Sequence, residues 1–343
     1  MRGFQTTNSR LTLAMVAVAF TILMASTIPL ANGNSSSGGI ASSNGDPYYC
    51  PGTGESGAPA AGGVPCYVAL KTFFQWTIHG NYVAKGVSLR SSPDGQLILK
   101  VPAGATITKA LMLWSVISFS TGTAPNTGTL NNQVITGTLL GTSGDVCWGS
   151  NHIDSFAADV TGIAVSGKNN FTNFPDAEGI LREGVALVLV YTLASDPLTQ
   201  VIINEGAQSF AFEAPNTNFT FGAATAAKAN TTGIVADGQM SGNEMTFGPN
   251  AGALAVVDAN AYPGSGFWNV TTVNVSGHIS AGATKATAGI NNFDNNDCVE
   301  WVGQVLSVPG SSPNCSFNCG TSTKVWWTWS FPVSPPGWHW PWP

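Results

Sequence analysis

Apolar positions recur along this chain in short runs or in strict alternation, and almost never at helical spacing. From Tyr67 onward the runs are rich in Val, Ile, Thr and aromatic residues. Clusters of Gly, Asn, Pro and Ser separate them, which is the punctuation of strands and turns. The pattern predicts strands at Tyr67–Ile78, Gln96–Val101, Ile107–Phe119, Gln133–Leu140, Gly184–Leu193, Gln200–Asn204, Ser209–Glu213, Ala253–Val257, Phe267–Val275, Val299–Val308 and Lys324–Phe331. No segment carries an apolar stripe at i, i+3, i+4, i+7 over three turns with caps at both ends, so helices are not expected. The fold class is therefore all-β: a β-sandwich of jelly-roll type, or two such sandwiches packed together. Runs such as Ala110–Trp114 and Ala186–Tyr191 are apolar at every position. Successive side chains of a strand point to opposite faces, so these two strands need cover on both sides.

The first residues have a different pattern. Arg2 and Arg10 flank a polar start, and an uncharged, mostly apolar run of 21 residues follows from Leu11 to Ala31. This is the layout of a secretory signal, with small residues Ala31 and Gly33 set for cleavage before Asn34. Left uncut, the run is long enough to anchor the chain in a membrane. Either way the remainder is expected outside the cytoplasm, secreted or at the cell surface. Residues 34–65 form a Gly/Ser/Pro-rich linker that cannot bury a core. Residues 66–332 carry the β-sandwich, and 333–343 are a Pro/Trp-rich tail.

Composition narrows the partners. Charged residues make up 9% of the chain, against roughly 25% in an ordinary globular protein. Twelve basic and eighteen acidic side chains leave a net charge of −6, and no basic cluster offers a footprint for phosphate backbones. Nucleic acid is thus excluded as an expected partner.

Six cysteines, Cys50, Cys66, Cys147, Cys298, Cys315 and Cys319, in an exported chain are expected to pair as disulfides. Proximity in sequence suggests Cys50 with Cys66 and Cys315 with Cys319, which leaves Cys147 with Cys298 as a long-range staple. Zinc is disfavoured because no C-x2-C pair exists and the four histidines are scattered. Asn34, Asn170, Asn218, Asn230, Asn269, Asn274 and Asn314 each begin an N-x-[ST] sequon, a glycan acceptor on a surface turn.

Four strings, in order, carry a resemblance: Ile107–Trp114, Phe156–Thr161, Glu183–Tyr191 and Asp297–Val308. Together they resemble a family of secreted bacterial and archaeal surface proteins. Its β-sandwich domain is of unknown function and often accompanies adhesin-like repeats. The resemblance implies a surface or adhesive module and brings no catalytic residues with it.

Chemistry-bearing motifs are few. Gly52-Thr53-Gly54-Glu55-Ser56-Gly57 fits G-x-G-x-x-G but lacks the preceding strand and following helix of a dinucleotide site. Cys147 and His152 lie five apart, yet an exported cysteine is expected in a disulfide rather than as a nucleophile. Asp294 and Asp297 close an oxygen-rich Asx cluster that is a weak calcium candidate without EF-hand spacing. No cofactor is expected. Six of the eleven tryptophans crowd the last 18 residues. Of these, Trp338, Trp340 and Trp342 sit among prolines that favour an extended arm, which either exposes them as candidate binding residues or folds back over an apolar patch of its own domain.

The functional expectation is a non-enzymatic extracellular structural or adhesive protein. Its partners would be other surface proteins, further copies of itself or cell-envelope glycans, with membrane contact only through the N-terminal segment. The alternative is a carbohydrate-binding module or a secreted glycan-acting enzyme.

Overall fold

The computed structural model describes residues 68–310 apart from 121, 145–149, 212, 226–227, 264–265 and 293–296. The signal segment, the linker, the strand expected at Lys324–Phe331 and the tail all lie outside the described residues. Those described build seventeen strands: β1 (Val68–Ser88), β2 (Gly95–Leu99), β3 (Thr106–Ser118), β4 (Thr127–Leu130), β5 (Gln133–Thr136), β6 (Thr138–Ser143), β7 (His152–Asp159), β8 (Gly167–Thr172), β9 (Ile180–Thr192), β10 (Leu198–Phe210), β11 (Asn216–Thr220), β12 (Asn230–Ala236), β13 (Glu244–Gly248), β14 (Ala255–Asp258), β15 (Trp268–Asn274), β16 (Lys285–Asn291) and β17 (Val299–Pro309). Two short 3-10 turns are the only helical elements among the described residues. The all-β expectation holds.

Every strand pair is antiparallel. Nine strands join in the order β15-β12-β17-β10-β1-β9-β3-β7-β6, and two four-stranded sheets run β11-β16-β13-β14 and β2-β8-β4-β5. The long strand β1 divides the nine-stranded sheet. Its residues 68–79 pair with β10 and its residues 80–88 pair with β9. Gly80 is the joint, with φ +155°, and a Cβ placed there would lie 1.9 Å from the Tyr191 carbonyl oxygen. Only glycine fits so close an approach. The sheet thus becomes two five-stranded halves that share β1.

The two halves pack face to face. Leu111 and Leu113 of β3 with Ala186, Val188 and Val190 of β9 meet Val201 and Ile203 of β10 and Val302 and Val305 of β17. The alternate residues of β3 and β9, including Met112, Trp114, Leu187 and Leu189, face outward and are covered by Leu97, Leu99, Leu130 and Phe171 of the sheet that contains β2. On the far side, Ile202, Leu306 and Val308 are covered by Phe219, Phe247, Ala286 and Ala288 of the sheet that contains β11. Four layers result. The fully apolar runs of β3 and β9 occupy the inner ones, as their need for two covered faces required. Each such side chain contributes about 1.5–3 kcal/mol through burial.

Several boundaries differ from the sequence expectation. The run Gln133–Leu140 divides at Gly137, where a Cβ would meet the Trp114 indole at 2.2 Å. The separate strands expected at Gln200–Asn204 and Ser209–Glu213 are one strand, β10, with a register shift between Glu205 and Gln208. Strands β4, β7, β8, β11, β12, β13 and β16 were not expected from periodicity. They are short or rich in Asn, Thr, Gly and Ala, and tertiary cover compensates for weak strand propensity. In β16, for instance, Ala286 and Ala288 are fully buried.

Candidate functional site

Two kinds of feature stand out against a charge-poor chain: a buried cluster of ionisable groups between the inner layers, and an exposed aromatic edge on β1.

The buried cluster gathers the end of β1, the starts of β7, β9, β15 and β17, and the end of β12. Arg90 bonds Glu183 and also reaches Asp237 Oδ1 at 2.9 Å. Its guanidinium lies 4.4 Å from the Phe267 ring centroid. Asp237 and Phe267 are both non-glycine residues in left-handed backbone, at φ 58° and 59°. They are joined by the bond from Asp237 N–H to the Phe267 carbonyl at 2.7 Å. Glu300 accepts from Ser155 Oγ at 2.6 Å and from Ser115 Oγ. Asp154 accepts from the Ala124 N–H and the Thr142 hydroxyl, each at 2.6 Å, and His152 Nε2 lies 3.3 Å from it. Burial drives Glu183 well above the usual carboxylate range, Asp237 adds to the rise and Arg90 opposes it. Burial likewise pushes Glu300 up to about 7 against the pull of its two serine donors. A third acid, Glu205 of β10, is pushed up to about 8 by burial, with Lys109 opposing.

Glu183 and Glu300 have no solvent-exposed surface, so no substrate reaches them in this conformation. The Glu300 bonds cross opposing layers, from β17 to β3 and β7, as does the pair of Arg90, just past β1, with Asp237, just past β12, whereas Arg90 and Glu183 join the neighbouring strands β1 and β9. What the cluster does is orient the layers at one end of the sandwich, where hydrophobic packing alone would allow sliding.

The exposed edge is different in kind. Among the described residues, β1 pairs along 68–79 with β10 only, so its other side is open. That open stretch presents Phe73 and Trp76, 53% and 42% exposed. Phe74 sits between them, edge-on to Trp76 with centroids 6.2 Å apart. Beside Trp76 lies a cleft of about 560 Å³ whose lining includes Thr77, His79, Thr106 and Thr192 and no acid. An indole wall with hydroxyls around it suits a flat apolar face bordered by hydroxyl groups.

The residues singled out from sequence fall in several places. Trp338, Trp340, Trp342, Asp294, Asn34, Asn314, Cys50, Cys66, Cys147, Cys315 and Cys319 lie outside the described residues. Cys298 is buried at the foot of β17. Asp297, the other calcium candidate, has Oδ2 occupied by three donors, Gln239 N–H at 2.9 Å, Met240 N–H at 3.0 Å and Asn243 Nδ2 at 2.6 Å. It anchors the loop after β12. Among the described residues no group of three or more His, Cys, Asp or Glu side chains could hold a metal. Asn170, Asn218 and Asn274 are exposed and Asn230 is half-buried, all within strands rather than on turns. Asn269 corrects the expectation, because at 8% exposure it is buried and offers no surface acceptor. Periodicity placed Phe73 and Trp76 in a strand but carried no signal that this strand would have an open side.

The four-layer unit coincides with a known sequence unit. A model of the family described as "Protein of unknown function (DUF3344)" matches residues 61–309, from just before β1 to the last residue of β17. The chain belongs to this family. The DUF3344 unit therefore includes both outer sheets as well as the paired inner ones. No curated protein matches the chain. Among solved structures, the STIV MCP is 10% identical over 68% of this chain and 95% of its own, with a TM-score of 0.21. The structure of the infectious bursal disease virus Gt strain is 10% identical over 73% of this chain and 74% of its own, at 0.22. BuGH86 in complex with neoagarooctaose is 11% identical over 68% of this chain and 34% of its own, at 0.25. At such scores these likenesses say nothing about function.

Among the described residues no helix is long and apolar enough to cross a membrane.

Proposed function

We propose that this protein is a non-enzymatic, exported surface protein that works by adhesion or assembly, and that the open edge of β1 is its contact surface. The observation that supports this most is that exposed Phe73 and Trp76 lie on a strand edge that is unpaired among the described residues. Soluble proteins guard such edges with charges, prolines or cover, because an open, aromatic edge invites another chain. The carboxylates with raised affinity for protons, the natural candidates for acid–base chemistry, are instead sealed between layers. The Pro/Trp-rich tail with Trp338, Trp340 and Trp342 adds a second aromatic contact element to the same role.

A second reading, carbohydrate binding, draws on the threonine-lined cleft beside Trp76. The two are separable with one pair of variants. Phe73→Ser and Trp76→Ala should abolish concentration-dependent light scattering or surface retention while leaving the melting temperature unchanged. If only Trp76→Ala acts, and it acts by removing binding on a glycan array, the carbohydrate reading stands. Retention of both behaviours in the double variant would overturn the assignment of this edge.

A further inference from the structure

A second cleft, of about 450 Å³, lies where four strands, β1, β2, β12 and β15, meet. Its floor is β1 around Tyr82 and Lys85, one wall is the edge strand β2 at Ile98 with Lys100 just past its end, and the other is formed by Asn230 of β12 and Thr272 of β15. Lys85 and Lys100 are exposed and make no ion pair among the described residues. Lys168 of β8, directly opposite Ile98 in the sheet, is likewise exposed and without one. Two unneutralised lysines thus line one cleft, with a third on the adjacent strand, in a chain with twelve basic residues and a net charge of −6. No acid lines the cleft.

The remaining lining is not that of a simple ion site. Tyr82 and Thr232 hydroxyls are 2.7 Å apart, and Thr232 and Thr272 hydroxyls are also 2.7 Å apart. This chain of hydroxyls ends at Thr272, which is exposed at the cleft, and the Asn230 amide stands nearby. On the β2 wall Ile98 is 53% exposed. We infer that this cleft binds a saccharide bearing an anionic group, a carboxylate or a phosphate. Lysine ammonium groups take the charge as mobile point donors. Asn230 and Thr272 meet ring hydroxyls, and Ile98 meets an apolar C–H face. The volume falls in the range of about 300–1,000 Å³ usual for small-ligand sites.

The site differs in position and chemistry from the Trp76 edge and does not rest on that reading. The test is calorimetric titration of the full chain with trigalacturonate, glucose 6-phosphate and the neutral maltotriose. Binding of trigalacturonate or glucose 6-phosphate, but not of maltotriose, is expected, and which of the two binds assigns the anion as carboxylate or phosphate. The Lys85→Gln/Lys100→Gln variant should lose at least about tenfold in affinity, equal to ~1.4 kcal/mol. Raising the salt to ~1 M should weaken wild-type binding, since exposed charges are screened within about 3 Å at that strength. Trp76→Ala should leave this binding unchanged, so failure of the β1-edge proposal would not imitate failure here. Equal binding of maltotriose, unchanged affinity in the double lysine variant with an unaltered melting temperature, or no binding of either anion would overturn the inference.

Discussion

Glu205 offers the sharpest physical test of the inner layers. It sits on β10 opposite Gly303 of β17, is 7% exposed, and has a buried Oε2 without a hydrogen-bond partner among the described residues. Burial pushes its carboxyl from 4.5 up to about 8, so the folded protein holds it protonated at neutral pH while an unfolded chain would release the proton. A raised folded value means that stability is fully present below about 4.5 and is lost as pH rises from there through about 8. At about 1.4 kcal/mol per pH unit, the rise sets an upper bound of ~5 kcal/mol. Local relaxation and water entry reduce it to a few kcal/mol. Glu300, pushed up to about 7, acts in the same direction. Urea unfolding midpoints, measured with disulfides intact, should therefore be higher at pH 5 than at pH 8. Glu205→Gln keeps the shape and removes the ionisation. It should match wild type at pH 5, exceed it at pH 8 and flatten the profile between them. A wild-type midpoint that rises from pH 5 to pH 8, or a variant whose profile runs parallel to wild type, would refute the reasoning.

Three further outcomes are expected. Non-reducing peptide mapping should find Cys147 bonded to Cys298: Ser143, four residues before Cys147, meets Ser209, and Ser209 pairs with Glu300, two residues after Cys298. A loop of that length is worth about 4–5 kcal/mol in the chain-entropy model. Ser115→Ala with Ser155→Ala removes both hydroxyl donors to Glu300 and should destabilise the fold by about 1–3 kcal/mol per lost bond, read as a lower melting temperature that recovers partly on acidification. Truncation after Pro332 should leave the melting temperature within a few degrees while abolishing oligomerisation, surface retention or sugar binding; loss of folding would show that the tail completes the core.

Strand class, and the depth at which certain strands lie, were legible in the sequence. Ala110–Trp114 and Ala186–Tyr191 are apolar at every position, and a strand with two apolar faces has nowhere stable to be except between layers. The cysteine, sequon and signal patterns are equally local, readable wherever the chain ends up. The tertiary structure alone decided what those strands bring together. Ser115 and Glu300 are 185 residues apart in sequence and share one buried hydrogen bond. Asn269 sits in an acceptor motif yet is buried, and Asn230 in the same motif borders a cleft. Nor does any local pattern say that β1 changes partner at Gly80 and so leaves Phe73 and Trp76 on an edge unpaired among the described residues. Alternation records which side chains share a face of one strand. It carries no information about which distant strand lies beside or above that face, because long-range pairing is set by the total apolar area the four layers can bury at once.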